Sequence, residues 1–310
     1  MKKRLFTIIY LFVTTLLLLN TPCHALDQAA ISVVFSSDME EYHQAWEGFN
    51  GFFMKNGVDL SVSTHNLANN DMETICSKIK KEKPQLILAI GTKALKLLKM
   101  GIQDIPILGC MVMNQYDLEQ TNVTGVTMSI PTNIKLEWIN RNIPQAKTIG
   151  LIYSTETTEL AAKISQDCNK FGYKVIVRKI NSGKEIAEAL QGMGYKIDCF
   201  LMIPDASIYF SKSIEYLLME GLKKKFAIIG LSSHYTKAGA FASFDCDYKD
   251  IGRQTAEMAM KILNGQSLTI NLPPESPFKT TFSLNLLVAE KIGIKLQPST
   301  IKEAKGVFGR

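Results

Sequence analysis

Six short segments place small hydroxyl residues, a glycine or a carboxylate directly after an apolar run and directly before a helix-like stretch. They are Ser36-Ser37-Asp38, Gly91-Thr92, Cys110-Met111, Ser154-Thr155-Glu156, Pro204-Asp205-Ala206-Ser207 and Ser232-Ser233. The first N–H groups of a helix are unpaired and lie at the positive end of its dipole, so such segments suit a carboxylate or another anion. The same residue types also cap helices, and capping alone explains any one segment. Six together point to a ligand cleft. Asp205 is the carboxylate expected at a strand end facing that cleft. A lone carboxylate suits an ammonium group better than acid–base work, which needs a partner. Asp245 and Asp247 follow another apolar run and belong near the cleft or a hinge.

Catalytic chemistry finds little support. His43, His65 and His234 show no metal-ligand spacing, and the chain lacks a G-x-S-x-G elbow, a phosphate-binding G-x-x-x-x-G-K-[ST] and a G-x-G-x-x-G after a strand. No enzyme activity, cofactor or metal is expected. Lys223-Lys224-Lys225 reads as a solvated helix end favoured by the dipole.

The elements that must position these segments alternate. Ile31–Phe35, Val58–Val62, Leu86–Ile90, Ile105–Cys110 and Thr124–Thr127 form one series of apolar runs, and helical patterns follow the first three of them. The pattern restarts with Thr148–Tyr153, Lys174–Ile180, Cys199–Ile203, Phe226–Leu231 and Ala240–Phe244. Continuous apolar runs suit strands buried on both faces, as in parallel sheets covered by helices. Alternating β and α then predicts an α/β fold of two Rossmann-like lobes with central parallel sheets. No low-complexity linker separates the halves, so a multi-strand hinge of short crossings is expected. Lobe one spans 26–130, with part of 245–268 returning to it. Lobe two spans 131–244, with part of 269–310.

The chain has 310 residues, 46% of them hydrophobic and 21% charged, and a net charge of +6. That composition excludes disordered, fibrous and polytopic membrane classes. Lys2, Lys3 and Arg4 precede an uncharged stretch from Leu5 to Leu19, and Cys23-His24-Ala25 follows a helix-breaking Pro22. This is the plan of a secretory signal peptide over residues 1–25. Without those three cations, 32 basic side chains face 29 acidic ones, which is no nucleic-acid footprint. Export to the periplasm or the extracellular side of the membrane is expected. An uncleaved anchor and a lipid on Cys23 are the alternatives. Five further cysteines, Cys76, Cys110, Cys168, Cys199 and Cys246, include no C-x-x-C. Cys110 and Cys199 read as small buried hydrophobes, and one disulfide among the five stays open.

Several stretches resemble the substrate-binding family found beside tryptophan and tyrosine ABC transport systems, with the type I periplasmic binding protein fold. They are Pro84–Leu98, Asn122–Pro131, Thr148–Tyr153, Asp198–Ser207, Gly239–Ala256 and Pro273–Gly293. The most specific is GAFASFDCDYKDIGRQTA. The chain departs from the family pattern at Ala206, Asp245 and Met128, where Asn, Gly and Asp are frequent. The resemblance implies two lobes that close on a small ligand, such as an aromatic or hydrophobic amino acid. The ligand would pass to an inner-membrane permease served by a separate ATPase subunit. The same clamp suits a sensory module reporting to a membrane receptor or kinase. A monomer that binds no nucleic acid is expected. Closure would bury the ligand between Ser36, Ser37, Gly91 and Thr92 on one wall and Ser154, Asp205, Ser207 and Ser233 on the other.

Export has a direct test. N-terminal sequencing of the exported protein is expected to start at or near Leu26, whereas a retained Met1 refutes cleavage.

Overall fold

The computed structural model describes residues 28–194 and 196–309. The signal-peptide segment lies outside the described residues. The first half alternates β1 (Gln28–Phe35), α1 (Glu40–Lys55), β2 (Asp59–Asn66), α2 (Met72–Glu82), β3 (Leu86–Ile90), α3 (Thr92–Gly101), β4 (Ile107–Val112) and β5 (Val123–Thr127). The second continues with α4 (Thr132–Asn142), β6 (Thr148–Tyr153), α5 (Thr158–Lys170), β7 (Lys174–Lys179), α6 (Ile186–Gly192), β8 (Cys199–Leu201) and α7 (Ser211–Lys224). Then come β9 (Ala227–Gly230), α8 (Ser233–Ala238), β10 (Ala242–Cys246), α9 (Tyr248–Leu263), β11 (Thr280–Asn285), α10 (Leu286–Ile292), α11 (Pro298–Glu303) and β12 (Gly306–Phe308).

Two sheets result. One is all parallel in the order β2-β1-β3-β4-β5, and the other runs β12-β11-β10-β9-β8-β6-β7. All five residues of β3, LILAI, are fully buried, as a central strand covered by helices on both faces requires. Phe49 and Phe53 of α1 cover one face, and Ile75 and Ile79 of α2 the other, in two separate clusters. The second sheet departs from pure parallel order at β11, which runs antiparallel to β10. Trp138 of α4 packs on this region, with ring centroids 5.9, 5.6 and 5.4 Å from Phe241, Phe244 and Phe282.

The chain passes between the sheets three times: at 128–131 after β5, at 246–247 after β10, and before β11. The second passage is made so that α9 can lie on α1. There Gly48 and Gly252 let two backbones touch. A Cβ on Gly252 would stand 1.8 Å from the Ala45 carbonyl oxygen, and one on Gly48 would stand 1.8 Å from that of Lys249. The third passage is held to the first sheet. Thr127 N–H donates to the Glu275 carbonyl and Glu275 N–H to that of Gly125, both at 2.9 Å. Gln254 of α9, 1% exposed, donates to Glu275 Oε2 and the Ser276 carbonyl and accepts from Phe278 N–H. The Cys246 thiol, pushed up to about 12 chiefly by burial and further by Asp245, stays protonated. It donates to the Met128 carbonyl at 3.2 Å, tying the second passage to the first. All five cysteines beyond Cys23 are buried free thiols.

The glycine contact makes a sharp prediction. Gly252→Ala drives a methyl into a backbone oxygen, and overpacking of this kind costs about 1–3 kcal/mol. Gly51, exposed on the same helix α1, has no atom within 4 Å of its would-be Cβ. Gly51→Ala is expected to stabilise by roughly 0.5–1 kcal/mol. Urea unfolding of both variants checks the contrast; equal midpoints would show that the α1–α9 contact is slack.

Candidate functional site

Parallel strands deliver their carboxyl ends to one side of a sheet, where ligands bind. Residues following β4, β6, β8 and β9 line one cavity of about 780 Å³ between the two lobes. That volume is within the range of small-molecule sites, roughly 300–1,000 Å³.

The first lobe supplies Met113, Asn114, Gln115 and Tyr116. A bulge places them: the β4–β5 register shifts between Cys110 and Val112, and Met111 takes φ 59. Left-handed backbone strains a side chain with a Cβ, and a bulge re-aims the strand end. Thr92 Oγ1 then accepts from Met113 N–H at 2.9 Å and Asn114 Oδ1 from Tyr116 N–H at 3.1 Å, fixing the new direction. The passages add Ser129, Ile130, Pro131 and Ser276, and the start of α4 adds Thr132 and Asn133.

The second lobe supplies the charge. Glu156, Glu159, Leu160, Lys163 and Asp167 line the cavity as a stripe along α5 and the turn before it. Pro204, Asp205, Ala206 and Tyr209 come from the segment after β8, and Leu231 and Tyr235 from the segment after β9. Tyr209 is 8% exposed, and its hydroxyl has no side-chain partner among the described residues, with the Ile203 backbone beside it.

Asp205 joins two strand-end loops. Oδ2 accepts from Ser154 N–H at 3.2 Å and Thr157 Oγ1 at 2.6 Å, and Oδ1 from Ser207 N–H at 3.1 Å and Ser207 Oγ at 2.6 Å. Four donors fill the lone-pair positions of a carboxylate. Burial alone would raise the Asp205 pKa, but the hydrogen bonds from Ser207, Thr157 and Ser154 outweigh it and hold the group below the ordinary carboxylate range.

Of the eight residues singled out from sequence, Asp205 is among those lining the cavity. The others stand at the strand ends around it. Ser36 is buried, and its Oγ accepts from Ala94 N–H at 2.9 Å. Gly91, with φ 90, packs so closely that an added Cβ would meet Ser36 Oγ at 2.5 Å and the Tyr42 hydroxyl at 2.6 Å. Ser37 and Thr92 are half-buried on the same rim. Ser154 Oγ accepts from Glu156 N–H at 3.2 Å. Ser207 serves Asp205, and Ser233 N–H donates to Asp245 Oδ2 at 2.9 Å. Asp245 has its pKa raised by burial, against the lowering effect of that Ser233 bond. Asp247 Oδ1 accepts from Asp250 N–H at 3.1 Å, capping α9. Sequence reasoning missed Tyr116, Tyr209, Tyr235 and Glu159 as lining residues, while Glu156 stands in one of the six strand-end segments. An aromatic or acid a few positions past a strand end was the available signal.

Comparison with known proteins gives a concordant result. A family profile described as "ABC transporter substrate binding protein" matches residues 32–308. A "Tyrosine-binding protein" of Clostridioides difficile (strain R20291) is 30% identical over 230 residues, covering 69% of this chain and 65% of that protein. The chain thus matches just under two thirds of that relative's length. The ligand-free, open structure of a substrate-binding protein with adhesive properties from Clostridium difficile superposes with TM-score 0.72 at 24% identity, covering 91% of this chain and 100% of that one. An ABC domain in complex with L-Trp from Streptococcus pneumonia gives 0.61 at 21% identity, covering 91% and 100%. The fold is that of type I periplasmic binding proteins.

The Asp205 network is open to measurement. Asp205→Asn replaces two acceptor oxygens with one and turns an amide toward donors, so about 1–3 kcal/mol of stability is expected to be lost at pH 7. A carboxylate with a depressed folded pKa contributes stability above its unfolded pKa and loses it as pH falls through the folded pKa. The two proteins should therefore converge in stability well below about pH 4. Denaturant unfolding at both pH values checks this; a constant difference would place the effect in packing rather than charge.

Proposed function

The chain belongs to the ABC transporter substrate-binding protein family, and on that premise we propose that it is an exported solute-binding protein that closes two lobes on a small amino-bearing ligand. The family consists of solute-binding proteins, not enzymes, and such proteins work with ABC transporter permeases. The relatives' names point to aromatic amino acids as the ligand class. Delivery goes to a permease in the inner membrane, powered by a separate ATPase subunit, from the periplasm or the extracellular face. The protein acts as a monomer.

The observation that carries this reading is the cavity itself, lined from both lobes and from the passages between them, with Tyr116 on one side and Tyr209 and Tyr235 on the other. Phenol rings give large apolar faces with a polar tip, which suits a small aromatic ligand. In this reading lobe one comprises 26–130 with part of 245–268, and lobe two 131–244 with part of 269–310. They turn about the three passages. Asp205 belongs to the ligand wall, while Ser36, Ser37, Gly91, Thr92, Ser154, Ser207 and Ser233 shape the loops behind it.

Binding and closure are tested together. L-tyrosine or L-tryptophan at about 100 times its dissociation constant adds ~2.7 kcal/mol of stability. Small-angle scattering at that concentration is expected to show a smaller radius of gyration. A verified ligand that leaves the radius unchanged would argue for a site already closed.

A further inference from the structure

The protein as a whole is basic, yet its cleft is not. Among the residues lining the cavity, the carboxylates are Glu156, Glu159, Asp167 and Asp205, and the one ammonium group is Lys163. Asp167 is paired at 3.5 Å with Lys170, which is not among the lining residues. With that acid set aside, three carboxylates still face one cation. The first-lobe wall and the passages contribute no ionised side chain. Nothing on those walls offsets the negative field of the second lobe.

A ligand carboxylate would need a counter-charge or free backbone N–H groups. Several N–H groups at the strand ends already donate to this chain's own side chains. Ala94 N–H is taken by Ser36, Glu156 N–H by Ser154, and Ser233 N–H by the carboxylate of Asp245. Asp245 adds a negative charge at the start of α8, where an anion would otherwise be drawn. A cation, by contrast, finds partners. Tyr209 carries a buried hydroxyl without a side-chain partner among the described residues, and burial pushes its pKa up against the lowering effect of the Ile203 backbone, so it remains a neutral phenol whose oxygen can accept from an ammonium N–H. A buried polar group left unmade is costly, and a ligand donor supplies what is missing. Tyrosine faces also attract cations.

We propose that the cleft selects ligands of net positive charge: an aromatic amine, or an aromatic amino acid whose carboxylate is masked as an amide, in preference to the zwitterionic amino acid. The inference rests on the reading of this cavity as the ligand site. Glu156 and Glu159 are the selecting residues. Both are exposed, so they act through field rather than by fixed pairing.

Titration calorimetry on the exported protein compares tyramine, L-tyrosinamide and L-tyrosine. A second set comprises tryptamine, L-tryptophanamide and L-tryptophan. The amine or amide is expected to bind roughly tenfold or more tightly than its parent, with a gap that narrows as salt screens the field. Glu156→Gln with Glu159→Gln is expected to shrink the gap severalfold while the unfolding midpoint stays within a few tenths of wild type. Parent amino acids that bind as tightly as their amides, or more tightly, overturn the selectivity and leave the binding-protein reading standing. Silence from all six compounds overturns both the selectivity and the aromatic-ligand reading. A gap unmoved by the double variant removes Glu156 and Glu159 as its source and overturns their assignment.

Discussion

The Ala45 and Lys249 carbonyl oxygens occupy the places where side chains at 252 and 48 would begin. That approach between α1 and α9 fixes much else. Because α9 follows β10 of the second sheet, seating it on α1 takes the chain back to the first sheet, and β11 can be reached only by a third passage. Gln254, itself on α9, grips that passage by three hydrogen bonds. The Cys246 thiol and the Asp247 N–H, which donates to the Lys279 carbonyl at 3.3 Å, tie the second passage to the first and third. The carboxyl ends of both sheets are thereby held facing one gap.

Within the gap, the strand-end loops spend their hydroxyls on the backbone. Ser36, Thr92 and Ser154 each accept from a nearby N–H, and Asp205 takes four donors from two loops. These bonds make rigid rims. The groups left to meet a ligand come from further along the chain: Tyr116 past the Met111 bulge, the α5 stripe, Tyr209 and Tyr235. The loops position, and the residues beyond them line the cavity.

Much of the fold was legible because burial on both faces leaves a plain mark. LILAI at 86–90 and TIGLIY at 148–153 are read directly as strands and lie as such. Edge strands were harder: β2, DLSVSTHN, lies half open to solvent and carries a weaker apolar signal. The strand read at 199–203 stops at Leu201, and the helix expected from Ser207 starts at Ser211. The Ser207 carbonyl accepts from Gly183 N–H, and Tyr209 N–H donates to the Asp205 carbonyl, so the chain there makes a turn first. The antiparallel direction of β11 depends on where the third passage enters, and β12 has three residues. Before α6, Ser182 Oγ accepts from Lys184 N–H. Glu185 accepts from Asn181 N–H, and a 3-10 turn precedes α6. The candidate site was legible as a set of loops. Which residue of each loop faces the gap was not, because a hydroxyl that caps and one that binds ligand have the same local spelling.

The two walls of the cavity differ in kind, and that difference bears on closure. The first-lobe wall, Met113 to Tyr116, carries apolar and amide groups and no ionised side chain; the second carries the carboxylates. Two acidic walls brought together would repel as water left the gap, since charges interact more strongly when solvent screening is lost. An uncharged wall closing on a charged one has its own amides and the other wall's carboxylates and Lys163 to desolvate. In the proposed closure, a cationic ligand on the second lobe offsets part of that cost through the field of those carboxylates. In that reading the first lobe adds apolar contact and shuts out water, with the bulge at Met111 redirecting the chain that carries Met113 to Tyr116.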